Sequence, residues 1–316
     1  MKQNPQRSQS EAQHGLKNKP QISIIGAGRL GTALGIALQR AGYDITLVVT
    51  THSRTAQRAA RMIGGGVLGI SASQLKLRSR HAEVLAMSSL ILISTPDNAI
   101  KRTATLIGNL IDGTKRRPKA QTILHTSGAL SSAELRAAKR PAVAIGSMHP
   151  LVAIGKRASA VDTFENSFFC VEGDPKAVRV AMALVRNLHG RFFAIRPAYK
   201  PLYHTAAVMA AGNVVALFEI AVGMLQACGI SARKSRQILL PLIKSSIANL
   251  DEMDSADALT GPLVRGDTET VRKHLAAMKA QKLTLALQVY RALGKQTLEM
   301  LTSAGKRVNG SAAKVL

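Results

Sequence analysis

The chain contains no tryptophan, and aromatic residues make up only 3% of its 316 residues. That scarcity argues against the aromatic platforms on which RNA bases or sugars stack. Its two cysteines, Cys170 and Cys228, exclude a disulfide framework and any zinc site of cysteine alone. They fit a reducing cytoplasm. The eight histidines include no i, i+4 pair, so no metal-ligand pattern is present. Acidic residues are also few: 18 against 43 basic ones, a formal charge of +25. The excess is spread, +15 on residues 1–150 and +10 on residues 151–316, with local clusters at Lys115–Lys119, Arg233–Arg236 and Lys306-Arg307. A nucleic-acid module concentrates such charge on one element. The spread reads instead as a basic solvated surface that attracts anionic ligands and argues against nucleic acid as a partner. Residues 1–20 lack the apolar core of a signal sequence and read as a disordered basic leader.

What is present is a large apolar fraction, 46%, enough for about two domains of ordinary size. Ile22–Ile25 reads as a strand that opens on Gly26-Ala27-Gly28-Arg29-Leu30-Gly31. Leu34, Ala37, Leu38 and Ala41 then recur at helical spacing, and residues 45–50 make a second strand. This strand, glycine turn, helix and strand form a dinucleotide-binding unit. Gly26 permits the tight turn, Gly28 lets the backbone approach a pyrophosphate, and Gly31 lets the helix pack closely. The helix N-terminus offers free N–H groups to the phosphates. Further strands are expected at 90–94, 122–125, 142–147, 168–172 and 191–195, with helices between most of them, giving an open, mainly parallel sheet. After Pro197 strand patterns stop and helices are expected at about 201–228, 231–250 and 268–303. The organisation expected is therefore a leader at 1–20, a dinucleotide-binding domain at 21–197 and a helical substrate and dimerisation domain at 198–316. The last dozen residues read as a frayed tail. The stretch 205–230 is long enough to span a bilayer, but Asn213 and Glu219 sit within it. It reads as a buried helix.

Candidate site residues follow from position. The second strand ends in Thr50-Thr51-His52-Ser53-Arg54 without the acid that holds the ribose hydroxyls of NAD. Ser53 and Arg54 suit the 2′-phosphate of NADP, so NADPH is expected in preference to NAD. An ordinary exposed charge is the alternative for Arg54. Thr95-Pro96-Asp97 and His125-Thr126-Ser127-Gly128 close two strands at the sheet edge where ligands bind. Thr95, Pro96 and Ser127 are expected beside the cofactor, and a plain loop accounts equally well for Asp97. His149-Pro150 closes another strand. A hydride transfer to a carbonyl needs a proton donor, and His149 or His204 suits it near neutral pH, with His125 a further candidate facing the same cleft. Asn213, in an apolar helix, needs a partner or a ligand. It lies nine residues from His204, about 2.5 turns, so the two do not share a narrow face. Tyr203, Thr260 and Arg265 are candidate substrate contacts, while Asp267 reads as the N-cap of the next helix.

The segments IIGAGRLGTALG, STPDNAI, HTSGAL, GSMHPL, FFCVEGD, YHTAAVMAAGNVVALFE and ALTGPLVRGD resemble, over about residues 21–300, a bacterial family of Rossmann-like oxidoreductases whose C-terminal half is a domain of unknown function. That family is similar to pyrroline-5-carboxylate reductase, prephenate dehydrogenase and 6-phosphogluconate dehydrogenase-like proteins. The resemblance implies an α/β Rossmann domain followed by an all-α domain of the 6-phosphogluconate dehydrogenase C-terminal type, with homodimers formed through the helices. His149-Pro150 is similar to the His-Pro of prephenate dehydrogenases, where that histidine lies near the substrate. Gly212-Asn213 departs from an expected Ser-Asn pair. The expected function is an NADP-dependent oxidoreductase, transferring hydride between the nicotinamide and a small anionic carbonyl or imine substrate held between the two domains. A non-catalytic NADP(H)-binding sensor is the alternative.

Overall fold

The computed structural model describes residues 20–114, 120–155, 163–307 and 310–316. The leader up to Lys19 and the Lys115–Lys119 cluster lie outside the described residues. Two compact units share the chain, the first ending at Val208 and the second running Met209–Leu316.

Short apolar runs that alternate with amphipathic helices build the first unit. Its elements are β1 (Gln21–Ile25), α1 (Arg29–Arg40), β2 (Asp44–Thr50), α2 (Ser53–Ile63), β3 (Leu68–Ser71), α3 (Arg80–Met87), β4 (Leu90–Ile93), α4 (Asp97–Asp112), β5 (Gln121–His125), β6 (Val143–Pro150), β7 (Phe168–Gly173), α5 (Pro175–Asn187), β8 (Arg191–Ala194) and α6 (Lys200–Val208). The sheet order is β3-β2-β1-β4-β5-β6-β7-β8. Every neighbouring pair is parallel except β6 and β7. Both faces are covered, as a parallel sheet requires. Alternate residues of β4 show this directly: Leu90 and Leu92 join Leu34, Leu38, Leu184 and Val185 in one core, while Ile91 and Ile93 join Leu85, Ile100 and Ile107 in the other. The carboxyl ends of β1, β4 and β5 therefore line up along one edge, where a doubly wound sheet takes its ligand. Strand β3 carries a glycine and only four residues, and no sequence pattern announces it.

The second unit is helical: α7 (Val214–Ala227), α8 (Ala232–Glu252), α9 (Ser255–Ala258), α10 (Thr268–Ala280), α11 (Thr284–Ser303) and α12 (Gly310–Val315). Its small core is Val271, Leu275, Met278 and Ala286, with Ile220, Met224 and Leu263 packed on it. Three expectations are corrected here. The helix expected at 268–303 is two helices, because Lys282 takes a left-handed φ of 55° and reverses the chain. The apolar period continues across that break and hides it. The expected frayed tail is instead helix α12, anchored by Ala312 and by Val315 and Leu316 on the small core. Gly294 leaves the room that Leu316 fills.

The third correction concerns the apolar stretch read as a buried helix. Pro197–Ala227 is one helical run of 31 residues whose most apolar 18-residue window has mean hydropathy 1.9, yet only 6% of that window is buried. By length and composition it could cross a membrane. Leu202, Val208, Met209 and Val215 are exposed along it, and so is Asn213. Within the run, Met209–Asn213 is a π turn between α6 and α7. A π turn adds a residue per turn, so the 3.6-residue spacing drawn from His204 to Asn213 does not hold.

Candidate active site at the carboxyl edge of the sheet

The three glycines of the first turn have separate reasons to be glycine. Gly26 has φ +94°, and a Cβ there would lie 2.5 Å from the backbone of Ser94 and Thr95. A Cβ on Gly31 would lie 2.3 Å from the Gly26 carbonyl oxygen, so the first turn of α1 rests on the turn itself. Around Gly28 nothing lies within 4 Å. Packing therefore demands two of the glycines, and the third opens onto free space. Gly28 is also the N-cap of α1, with no side chain capping the free N–H groups and no acid in the first turn. Ala27 is buried, and Arg29 and Leu30 begin the helix. Arg29 donates to the Ile154 carbonyl at 3.4 Å. This is a cradle that an anionic phosphate fits.

Ser53 and Arg54 form the first turn of α2, just past the end of β2. Arg54 is exposed, and Ser53 donates to Gln74 at 3.3 Å. Thr95 follows β4, and its buried hydroxyl has no partner among the described residues. Pro96 is the N-cap of α4, with Asp97 in its first turn. Ser127 is placed differently from a free ligand. Its hydroxyl accepts from the N–H groups of Ala129 and Leu130, so it shapes the loop after β5. Open Gly28 and unpartnered Thr95 together suit a dinucleotide laid along this edge.

Beside them the structure gathers a polar cluster. His149 Nδ1 shares a hydrogen bond with the Tyr203 hydroxyl at 2.7 Å. Their rings meet edge to face at 5.6 Å, and the Phe193 ring meets Tyr203 at 5.7 Å. The His204 ring meets His149 at 5.6 Å. Both imidazoles rest on Gly128: a Cβ there would lie 2.4 Å from His204 Nδ1 and 2.8 Å from His149 Nε2. His204 Nδ1 is buried without a partner among the described residues. Beneath lies Lys200, fully buried, donating to the Ser127 carbonyl at 2.9 Å and to the Ser147 hydroxyl at 2.5 Å.

Burial, then the charge of Lys200, and then the neighbouring histidines lower the pKa of His149 from 6.5 to about 4. Burial and Lys200 do the same for His125, also to about 4. Near neutral pH both rings are uncharged. Burial pushes the Tyr203 phenol well above its ordinary 10. His125 does not face a cleft as expected. It is fully buried, and its Nδ1 accepts from the Ser127 N–H at 3.2 Å.

The remaining expected residues belong to the second unit. Asn213, Thr260 and Arg265 are all exposed there. Asp267 is the N-cap of α10, accepting from the Thr270 N–H at 3.0 Å and its hydroxyl at 2.7 Å. Sequence reasoning missed Lys200, Ser147 and the reason for Gly128. A signal for Lys200 was present, since it stands three and four residues before Tyr203 and His204 and shares their helix face.

Two family models match the chain. Residues 3–150 match a Rossmann-like domain, and residues 167–297 match a domain of unknown function, DUF2520. The candidate site draws on both matches, His149 from the first and Lys200, Tyr203 and His204 from the second, within one compact unit. Among solved structures, the chain is similar to a candidate NADP oxidoreductase from Bacteroides fragilis, 22% identical, with TM-score 0.70 and 89% and 98% of the two chains covered. Protein TM1727 from Thermotoga maritima is 21% identical, with TM-score 0.67 and coverage of 90% and 100%. A reductive aminase from Aspergillus terreus, solved with NADPH and ethyl levulinate, is 15% identical, with TM-score 0.59 and coverage of 94% and 98%. These likenesses establish the fold. No curated protein matches the sequence.

The packing predicts that Gly31→Ala lowers stability by about 1–3 kcal/mol in chemical unfolding, since backbone must move to admit the methyl group. A wild-type value would contradict it. The histidines predict an acid limb. Unfolding lets His125 and His149 take up protons that the folded state excludes until about pH 4. Stability should therefore fall as pH drops from 6.5 towards 4. A less steep decline over that window in His125→Asn checks the assignment, and an unaltered slope contradicts it.

Proposed function

From a chain that pairs a Rossmann-like domain with a DUF2520 domain, we infer an NADP-dependent oxidoreductase acting on a small anionic carbonyl or imine compound. The observation that carries this reading is the turn at Gly26–Gly31, where packing excludes any side chain at two glycines while Gly28 faces open space. The turn, Thr95 and Pro96 would hold the dinucleotide, with Ser53 and Arg54 taking the 2′-phosphate. The name of the Bacteroides relative and the NADPH of the Aspergillus enzyme support the same cofactor.

When bound, the reduced nicotinamide supplies a hydride. The chain's part is to bind the substrate, orient its acceptor group and provide the matching proton. His149 is uncharged near neutrality, so its role is a hydrogen bond rather than the delivery of a stored proton. Tyr203, kept as a phenol, donates to Nδ1, which leaves the ring proton on Nε2, the atom lying over Gly128. That N–H polarises the substrate's oxygen or nitrogen. The proton donor in this reading is His204, whose buried Nδ1 has no partner among the described residues. Asn213, Thr260 and Arg265 are offered as contacts to the substrate's polar and anionic groups.

A second reading is a sensor that binds NADPH without turnover, since His149 is uncharged near neutrality and carries no second ring proton to deliver. Oxidation of NADPH across a panel of keto acids and imino acids separates the two. The enzyme reading expects turnover that falls roughly 100-fold or more in His149→Ala and His204→Ala. Absence of turnover with every compound, alongside intact NADPH binding, favours the sensor.

The partner proposed for the helices is a second copy of this chain. Beyond the run at Pro197–Ala227, helix α8 exposes Ile238, Leu240, Leu242, Ile247 and Leu250. Exposed apolar area on this scale marks an association surface. Glu219, paired with Arg236 at 2.8 Å, makes lipid a costly cover for it. A cytoplasmic location accords with two free cysteines. Sedimentation should return twice the 33.6 kDa chain mass, and a monomer would remove the dimer from the account.

A further inference from the structure

Lysine is rarely buried completely, and when it is, the ammonium has partners and a reason. Lys200 has no exposed surface, so it does not reach a substrate. The functional reading above leaves it without a task. Its Nζ donates to two places at once: the Ser127 carbonyl, in the loop after β5, and the Ser147 hydroxyl, on β6 two residues before His149. Lys200 also opens α6, and its i+3 and i+4 neighbours are Tyr203 and His204.

We propose that Lys200 is the positioning residue of the candidate site: its buried ammonium ties the loop after β5 and strand β6 to the first turn of α6, and that tie holds Tyr203 and His204 against His149. The proposal rests on reading these three side chains as the active site. The tie acts on both imidazoles through the backbone that carries them. The loop it fixes carries Gly128, on which both rings rest, and the strand it fixes carries His149 itself. Ser127 seals the arrangement by bonding its own loop.

The charge of Lys200 has a second effect. Burial lowers the Lys200 pKa from its ordinary 10.5, while Glu172 and Cys170 on β7 and Asp97 at the start of α4 act to keep the proton on; His125 on β5 and His149 on β6 feel its charge. Glu172 accepts from the Ser132 N–H at 2.7 Å and the Ser132 hydroxyl at 2.8 Å, and no ion pair joins it to Lys200 among the described residues. The ammonium is therefore not neutralised by contact. It works against a second positive charge on His149, whose other charged or titratable neighbours are Tyr203 and His204 on α6, His125 on β5 and Cys170 opposite it on β7.

The test follows the ring of His149 in the full chain by NMR with labelled histidine, assigned through His149→Gln, in Lys200→Met and Lys200→Gln. Both variants should raise the titration midpoint of His149 by at least about half a pH unit, because they remove a nearby positive charge. Ser147→Ala keeps the charge and removes one anchor. It should leave that midpoint nearly in place and shift the Nδ1 resonance that reports the Tyr203 hydrogen bond. A folded Lys200 variant with the wild-type midpoint overturns the proposal. If neither Lys200 variant folds, a Ser147→Ala protein with wild-type midpoint and wild-type Nδ1 resonance also overturns it. None of these readouts needs turnover, so failure of the oxidoreductase assay strikes the functional reading and leaves this result to stand by itself.

Discussion

A missing methyl group at Gly31 sets the geometry on which the candidate site depends. The Gly26 carbonyl occupies the place where a side chain would begin, and α1 starts in contact with the turn beneath it. This contact directs the helix N-terminus along the carboxyl edge of the sheet and leaves open space at Gly28. The same device recurs at Gly128, where two imidazoles fill the room a side chain would take. Backbone at both places is left near the positions a ligand must reach. The sheet supplies the rigid edge, since β1, β4 and β5 are parallel and buried on both faces.

Electrostatics then sets what the edge can do. A chain with a formal charge of +25 meets anions easily, but the candidate site holds His149, and the buried His125, neutral near pH 7. Burial is the larger cause and the Lys200 ammonium the next. An anion bound beside such a ring would favour its protonated form, because an opposite charge offsets the repulsion from Lys200. Binding and protonation are coupled in that arrangement: each favours the other.

Much of the fold was legible because it rests on periodicity. Ile22–Ile25, the glycines and the helix behind them are read from apolar spacing and turn chemistry, and the strands ending at His125 and near His149 follow the same alternation. What escaped the sequence depends on contacts between distant residues. Lys282 breaks a helix through one left-handed residue while the apolar period runs on. Leu316 docks into room left by Gly294, with nothing local to mark it. The apolar stretch 205–230 reads as a buried helix, yet composition does not tell whether the cover comes from the same chain. At the candidate site, the partnership of His149 with Tyr203 and the burial of Lys200 join residues 54 and 53 positions from β6. Spacing on one element does not reveal such pairs.

The central claim is that the glycine turn holds a phosphorylated nicotinamide dinucleotide. It is tested most directly by titrating the pure protein with NADPH and NADH, following nicotinamide fluorescence, in wild type, Gly28→Ala and Arg54→Ala. The account predicts saturable binding of NADPH, with NADH at least about tenfold weaker, as expected when a guanidinium holds a 2′-phosphate. Arg54→Ala should remove most of that preference, and Gly28→Ala should weaken both ligands in a protein that still folds, because its methyl group enters only the space the pyrophosphate would use. Absence of binding by either nucleotide to folded wild type would contradict the account.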